Sequence, residues 1–277
     1  MNIVCIGAHP DDPEFYAGGS MVLWAQAGHA VTAVSMTNGD AGHYALAPDA
    51  LAAIRREESL EAARRGGYQT LVLDTHDGEL TPTLEARKDL VCLLRRLDAD
   101  IVLSHRPWDY HPDHRYTGVL VQDAAFMVTV PHFCPETPAL RKNPLFFGMT
   151  DAFTRAMPFR PDMLVAVDAV MPTKWALLDA MKSQVYEWLP WLAGRLDAAP
   201  APEAEFSLRR AWLEESLASM FTPIAEHYRA ELQAWYGDSA ADMIFVEAFE
   251  VCEYGRRPEP GELRRLCPTL PDPSERG

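Results

Sequence analysis

Ser104-His105-Arg106-Pro107-Trp108-Asp109-Tyr110-His111-Pro112-Asp113-His114 places three histidines and two aspartates within eleven residues. It follows the short apolar run Asp100-Ile101-Val102-Leu103, which reads as a buried strand, and precedes Arg115 to Val130, which reads as a helix. A second stretch matches it near the start of the chain. There Ile3-Val4-Cys5-Ile6-Gly7-Ala8 runs into His9-Pro10-Asp11-Asp12-Pro13-Glu14. Both set His-Pro-Asp on the loop that leaves a strand. In open α/β sheets, ligands bind beyond the carboxyl ends of the strands. Two such loops can therefore meet although about a hundred residues separate them.

Outward from these loops, strands and helices alternate. Residues 2–8, 30–36, 70–73 and 100–103 read as strands, and residues 14–28, 50–65 and 84–97 as helices. Gly66-Gly67 ends the second helix as a C-cap would. This order implies right-handed βαβ units and a Rossmann-like, mostly parallel α/β sheet with helices on both faces. The prolines from Pro131 to Pro144 mark a loop; residues 162–168 and 243–252 read as late strands, and Pro172 to Trp188 as one helix. We expect a catalytic core over residues 1–185, a helical and strand elaboration of the same domain over 186–255, and a Pro-rich charged tail over 256–277, disordered or wrapped on a neighbour.

Bulk composition narrows the function. Apolar residues make up 48% of the 277, enough for a core, and the net charge is −15. Such an acidic chain is poorly suited to nucleic acid or to an anionic membrane surface. The five cysteines are scattered, odd in number and form no CxxC, which points to a reducing compartment. With no signal-peptide pattern and no long apolar span, we expect a cytoplasmic protein.

The two loops carry the chemistry. Catalytic zinc usually takes three protein ligands from His and Asp/Glu and keeps one position open. His9, Asp12 and His114 can supply that set. Pro10 turns the chain just after the strand, and Pro112 is acceptable in a helix's first turn. Asp11 and His111 remain as ionisable groups able to move protons. His29, His43, His76, His105, His132 and His227 read as core or loop residues, with His43 and Tyr44 the best placed to border a site.

The sequence Gly7-Ala8-His9-Pro10-Asp11-Asp12-Pro13-Glu14 followed by Gly18-Gly19, together with His111-Pro112-Asp113-His114, resembles the PIG-L/LmbE-like deacetylases. Members are zinc-dependent enzymes that remove an acetyl group from N-acetylglucosamine units. Thr37-Asn38-Gly39-Asp40, Arg56-Glu57-Glu58, Asp77-Gly78, Lys174 and Ser183-Gln184 extend the resemblance over residues 1–190, with Glu247-Ala248-Phe249 beyond. It implies metal ligands at His9, Asp12 and His114, a general base at Asp11, and His111 beside the developing oxyanion as the acid, with Asp113 tuning its orientation. It also implies sugar-binding roles for Arg56 and Asp77. Asp109 stands where some members carry a tyrosine. The expected function is removal of an acetyl group from a GlcNAc-type amino sugar or its conjugate, with Zn2+ as cofactor and a homo-oligomer as the assembly. The alternatives are a metal-dependent amidase acting on another amide, such as a thiol conjugate, and a non-catalytic sugar- or nucleotide-binding protein on the same fold.

Overall fold

Short apolar runs with side chains alternating between two faces decide how the sheet packs. In the computed structural model, which describes residues 1–270, β1 (Asn2–Gly7) sends Ile3 and Cys5 into one core and Val4 and Ile6 into the other. This is the two-residue period of a strand covered on both sides. The first core lies under α1 (Asp12–Gln26) and the second under α3 (Leu84–Arg96) and α4 (Pro112–Met127).

The chain continues through β2 (Ala30–Thr37), α2 (Pro48–Gly66), β3 (Gln69–Thr75), α3 (Leu84–Arg96), β4 (Ile101–Ser104) and α4 (Pro112–Met127). Next come β5 (Leu145–Met149), β6 (Met163–Ala166), α5 (Met171–Ala180), α6 (Leu189–Leu192), α7 (Phe206–His227), α8 (Arg229–Tyr236), β7 (Val246–Val251) and α9 (Glu262–Leu266). The sheet order is β3-β2-β1-β4-β5-β7-β6. Pairings from β3 through β5 are parallel, and β7 runs antiparallel between β5 and β6.

The chain builds outward from β1 to β3 and then returns to place β4 on the other side of β1. That reversal is the topological switch point, where a crevice opens beyond the strand ends. The register Ile6↔Ser104 sets the two strand exits side by side. His9 and His105 therefore leave the sheet as neighbours.

The second half of the chain departs from the sequence reading in three places. Leu145–Met149, just beyond the proline-marked loop and given no element in the sequence reading, is a fully buried strand that pairs with β4. The helix expected over Pro172 to Trp188 is broken. Met181 leaves helical geometry (φ −81°, ψ 53°), and Ser183–Trp188 winds as a π-helix. The cause is Glu58, whose carboxylate takes both the Ser183 N–H (2.6 Å) and its hydroxyl (2.7 Å). Finally, the tail is structured as far as it is described. Leu266 and Cys267 are buried, and Trp24 Nε1 donates to Leu266 O (2.9 Å). The remainder of the expected disordered tail, residues 271–277, lies outside the described residues.

The elaboration after residue 186 closes onto the core through β7. Glu247 on that strand accepts from the N–H groups of Gly19 (2.8 Å) and Ser20 (2.7 Å) and pairs with Lys174 Nζ (2.6 Å), all buried. A Cβ at Gly19 would sit 2.7 Å from Val167, so only glycine lets α1 come this close. Among the described residues, no helix is long and apolar enough to cross a membrane.

Glu58 also sets a pH dependence. Burial pushes its carboxyl up to about 7, against the pull of the Ser183 hydrogen bonds and Arg55. The unfolded chain titrates it near the ordinary ~4.3. The folded state therefore holds this proton to higher pH, and stability falls as pH rises from about 4.5 to about 7. The loss amounts to up to about 3 kcal/mol. Glu58→Gln keeps the shape without the charge, so its Tm should fall less than that of the wild type between pH 5 and pH 8. Equal falls in both proteins would show that Glu58 ionises freely.

Candidate metal centre

The loops leaving β1, β3 and β4 meet above the switch point. The β1 exit is tied down first: Thr37 Oγ1 donates to Ala8 O (2.8 Å) and Ser35 Oγ to His9 O (3.1 Å). Asp12, in the first turn of α1, folds back over this exit. Its Oδ2 accepts from the N–H groups of Ala8 (2.9 Å) and His9 (2.8 Å), and His105 Nε2 lies 3.0 Å away. With Oδ2 occupied, Oδ1 is the oxygen left to face the crevice.

Three donors converge there. His114 Nε2 is 3.5 Å from Asp12 Oδ1 and 3.2 Å from His9 Nδ1, and His9 Nδ1 is 3.4 Å from Asp12 Oδ2. Donor atoms ~2.0–2.2 Å from a tetrahedral zinc lie roughly 3.4 Å apart. Two imidazole nitrogens and one carboxylate, reached by His114 at Oδ1 and by His9 at Oδ2, thus form a donor set that one cation can share.

The outer nitrogens support the same reading. His9 Nε2 lies 3.2 Å from Asp77 Oδ1 and 3.4 Å from Asp113 Oδ2, and His114 Nδ1 lies 3.3 Å from Asp109 Oδ1. Carboxylates behind ligating imidazoles fix ring orientation and raise ligand basicity. Burial alone would lower the pKa of His9, yet Asp113, Asp12 and Asp77 raise it well above the usual imidazole range. For His114, Asp12 and Asp109 likewise outweigh burial and raise the pKa. A site that holds protons on two histidines this firmly attracts positive charge, and a divalent cation satisfies the same carboxylates.

Asp11 is adjacent to Asp12 but differs in environment. It is not among the converging donors; its Oδ1 sits 3.1 Å from Arg55 Nη2. Burial raises its pKa, opposed by Arg55 and reinforced by Asp12. His111 is the N-cap of α4 and accepts from Asp113 N–H through Nδ1 (3.2 Å), which leaves Nε2 to carry the proton. Burial, His9 and His114 hold its pKa below the usual value, so the neutral ring predominates.

Several expectations change in this geometry. The backbone N–H of Asp113, not its carboxylate, orients His111. The carboxylate instead accepts from Gly78 N–H (2.6 Å) and Leu80 N–H (3.3 Å), pinning the loop that carries Asp77. Asp77 does reach the site, behind His9.

Arg56 does not reach it. Its guanidinium donates to Val72 O (3.0 Å) and Asp74 (2.7 Å) on the outer side of α2, with the side chain 44% exposed. One residue is about 100° of helical rotation, which turns Arg55 inward instead. Arg55 is buried, donates to Gly39 O (3.0 Å), and faces Asp11 and Asp77. His105, expected as a core residue, also belongs to the site: it is buried, touches Asp12 and stacks on His114 with ring centroids 4.0 Å apart. Its place directly after a buried strand was the signal available in the sequence.

Arg55→Ala should therefore lower kcat/KM at least about tenfold, because a buried carboxylate loses its charged partner. Arg56→Ala should leave kcat and KM within about twofold of wild type, as surface ion pairs contribute little. Steady-state kinetics on one active substrate checks both, and a larger loss in Arg56→Ala would reverse the assignment.

Comparison with known proteins places this site in a family. A model described as PIG-L, GlcNAc-PI de-N-acetylase, matches residues 4–125. The diacetylchitobiose deacetylase of Thermococcus kodakarensis is 30% identical over 205 residues, covering 69% of this chain and 74% of that one. The 4-oxalmesaconate hydratase of Pseudomonas putida is 25% identical over 237 residues, covering 80% and 90%. Among solved structures, the N,N'-diacetylchitobiose deacetylase of Pyrococcus horikoshii shares the fold with a TM-score of 0.69 at 24% identity, covering 91% of this chain and 84% of that one. With His9, Asp12 and His114 converging where the matched segment meets the switch point, the chain belongs to the PIG-L family.

Proposed function

We propose that this protein is a zinc-dependent N-deacetylase that hydrolyses the acetamide of an N-acetylated, GlcNAc-type amino sugar or its conjugate. The observation that carries this reading is the convergence of His9, Asp12 and His114 at 3.2–3.5 Å, beside an unligated carboxylate at Asp11. The relatives named as deacetylases agree with it.

His9, Asp12 and His114 would hold the metal, which when bound supplies Lewis acidity toward the amide carbonyl and acidifies water. Asp11 takes a proton from the attacking water. Its raised pKa lets it keep that proton and pass it to the departing amine nitrogen, which would otherwise leave as a poor anion. Arg55 holds Asp11 in place. Neutral His111, its Nδ1 occupied by the Asp113 N–H, has Nε2–H free to donate to the oxygen that gains charge. Asp77 and Asp113 keep the His9 ring oriented, and Asp109 does the same for His114.

The hydratase relative raises a second reaction class on the same scaffold. The charge around the centre disfavours it here. Asp11, Asp77, Asp109 and Asp113 surround the donors, and Arg55 is committed to Asp11, Asp77 and Gly39. A polycarboxylate would meet like charge, whereas a neutral acetamide meets none. The experiment is a panel of N-acetyl sugars and conjugates assayed for released amine with zinc-loaded protein, beside an unsaturated dicarboxylate assayed for hydration. Amine release from at least one sugar is expected. Hydration with no amine release from any of them would overturn the reading.

A further inference from the structure

Away from the His/Asp centre, α3 and the loop after α4 bring two thiols and a carboxylate together. Cys92 Sγ lies 3.3 Å from Glu136 Oε1. With Cys134 Sγ, the three donor atoms all fall within 4.8 Å of one another. Both cysteines are buried, while Glu136 stands at the surface. A cavity of about 430 Å³ opens onto Cys92 and Glu136, lined also by Glu85, Lys88 and Asp89.

The loop that presents Cys134 is anchored from within. Arg95, one turn after Cys92 on α3, is buried and spends its guanidinium entirely on that loop. It donates to the carbonyls of Phe133 (2.7 Å), Cys134 (2.8 Å) and Thr137 (2.8 Å), and to those of Met127 (2.9 Å), Val128 (3.0 Å) and Val130 (2.8 Å). Cys134 itself holds φ at +52°, a conformation that non-glycine residues seldom adopt. Six hydrogen bonds and a left-handed residue thus keep this thiol beside the one on the helix.

Donor type and spacing select the ligand. Two sulfurs and a carboxylate oxygen suit a borderline-soft divalent cation better than magnesium or calcium. With Zn–S ~2.3 Å and Zn–O ~2.0–2.2 Å, a tetrahedral zinc sets its sulfur and oxygen ligands roughly 3.5 Å apart, close to the Cys92–Glu136 separation. Two thiolates and Glu136 would leave one net negative charge around a divalent ion, which the Lys88 ammonium on the cavity wall offsets. Asp89, three residues before Cys92 and so on the same helix face, lines the same cavity.

We propose that Cys92, Cys134 and Glu136 form a second, structural site for a thiophilic divalent cation such as Zn2+, clipping the loop after α4 to α3. Its fourth position is open to the cavity that Asp89 lines. This site is independent of the catalytic reading, since none of its residues touches the His/Asp centre.

Cobalt distinguishes the two centres, because only thiolate ligands give intense sulfur-to-metal charge-transfer absorption in the near ultraviolet. Full-length protein, reduced and stripped of metal, is titrated with Co2+. The band should appear in wild type and in His114→Ala, and vanish in Cys92→Ser and Cys134→Ser. Zinc-loaded wild type should carry about two ions per chain and each cysteine variant about one. Glu136→Ala, a surface change that spares the core, should weaken cobalt binding at this site at least about tenfold. Circular dichroism and undiminished amine release in Cys134→Ser exclude misfolding as the cause. No band in reduced wild type, or a band that survives in Cys134→Ser, overturns the proposal.

Discussion

Asp11→Asn should lose at least ~100-fold in kcat while keeping its metal. The variant is isosteric and leaves His9, Asp12 and His114 intact, so the converging donors stay at their 3.2–3.5 Å spacing. What disappears is the carboxylate that the Arg55 guanidinium holds at 3.1 Å, apart from the converging donors. An asparagine cannot accept the proton of the attacking water, nor return one to the amine. A positioned acid or base typically contributes ~10²–10⁴-fold, and here one group performs both transfers. The measurement is turnover of an N-acetyl sugar alongside elemental analysis of the same preparation. Wild-type turnover at full metal occupancy would move the base elsewhere, with Asp109 or Asp113 next in line.

His114→Ala should hold one zinc fewer per chain than wild type, and its activity should fall to background. His114 is the donor contributed by the second loop, and its removal leaves only His9 and Asp12, whereas catalytic zinc sites use three protein ligands. The substitution also opens a space beside His105, which stacks on His114. His114→Gln fills more of that space, so metal loss in both variants separates lost coordination from lost packing. Zinc content equal to wild type in both, measured after removal of loosely bound ions, would take His114 out of the centre.

The centre was legible to the extent that its residues are local. His9, Asp11 and Asp12 leave one strand, and His111 and His114 flank one helical turn, so short motifs single them out. Of their outer partners, Asp77 belongs to another segment, while Asp109 lies in the same stretch as His114. Asp77 arrives from the loop after β3 and Asp109 from the loop after β4. The resemblance put Arg56 at the centre, whereas the structure turns Arg55 inward, and two consecutive arginines on a helix differ only in which one faces the sheet. No local pattern states that phase when Arg55 is buried for an ion pair rather than for apolar contact. His105 was passed over for a related reason, since a histidine that ends a buried strand looks like core until the strand beside it is known.

The sequence by itself determined the α/β alternation, the parallel first half of the sheet and the two loops that carry His9, Asp12 and His114. Each of these is written in apolar periodicity or in residues a few positions apart. Tertiary structure alone decided the rest. It placed β4 beside β1, so that loops a hundred residues apart share one crevice. It inserted β7 antiparallel between β5 and β6 and locked it with Glu247. It broke the helix after Ala180, because Glu58 from α2 captures Ser183. These outcomes depend on which distant groups compete for a backbone N–H, a buried charge or a strand edge, and that competition is settled only when the chain is packed.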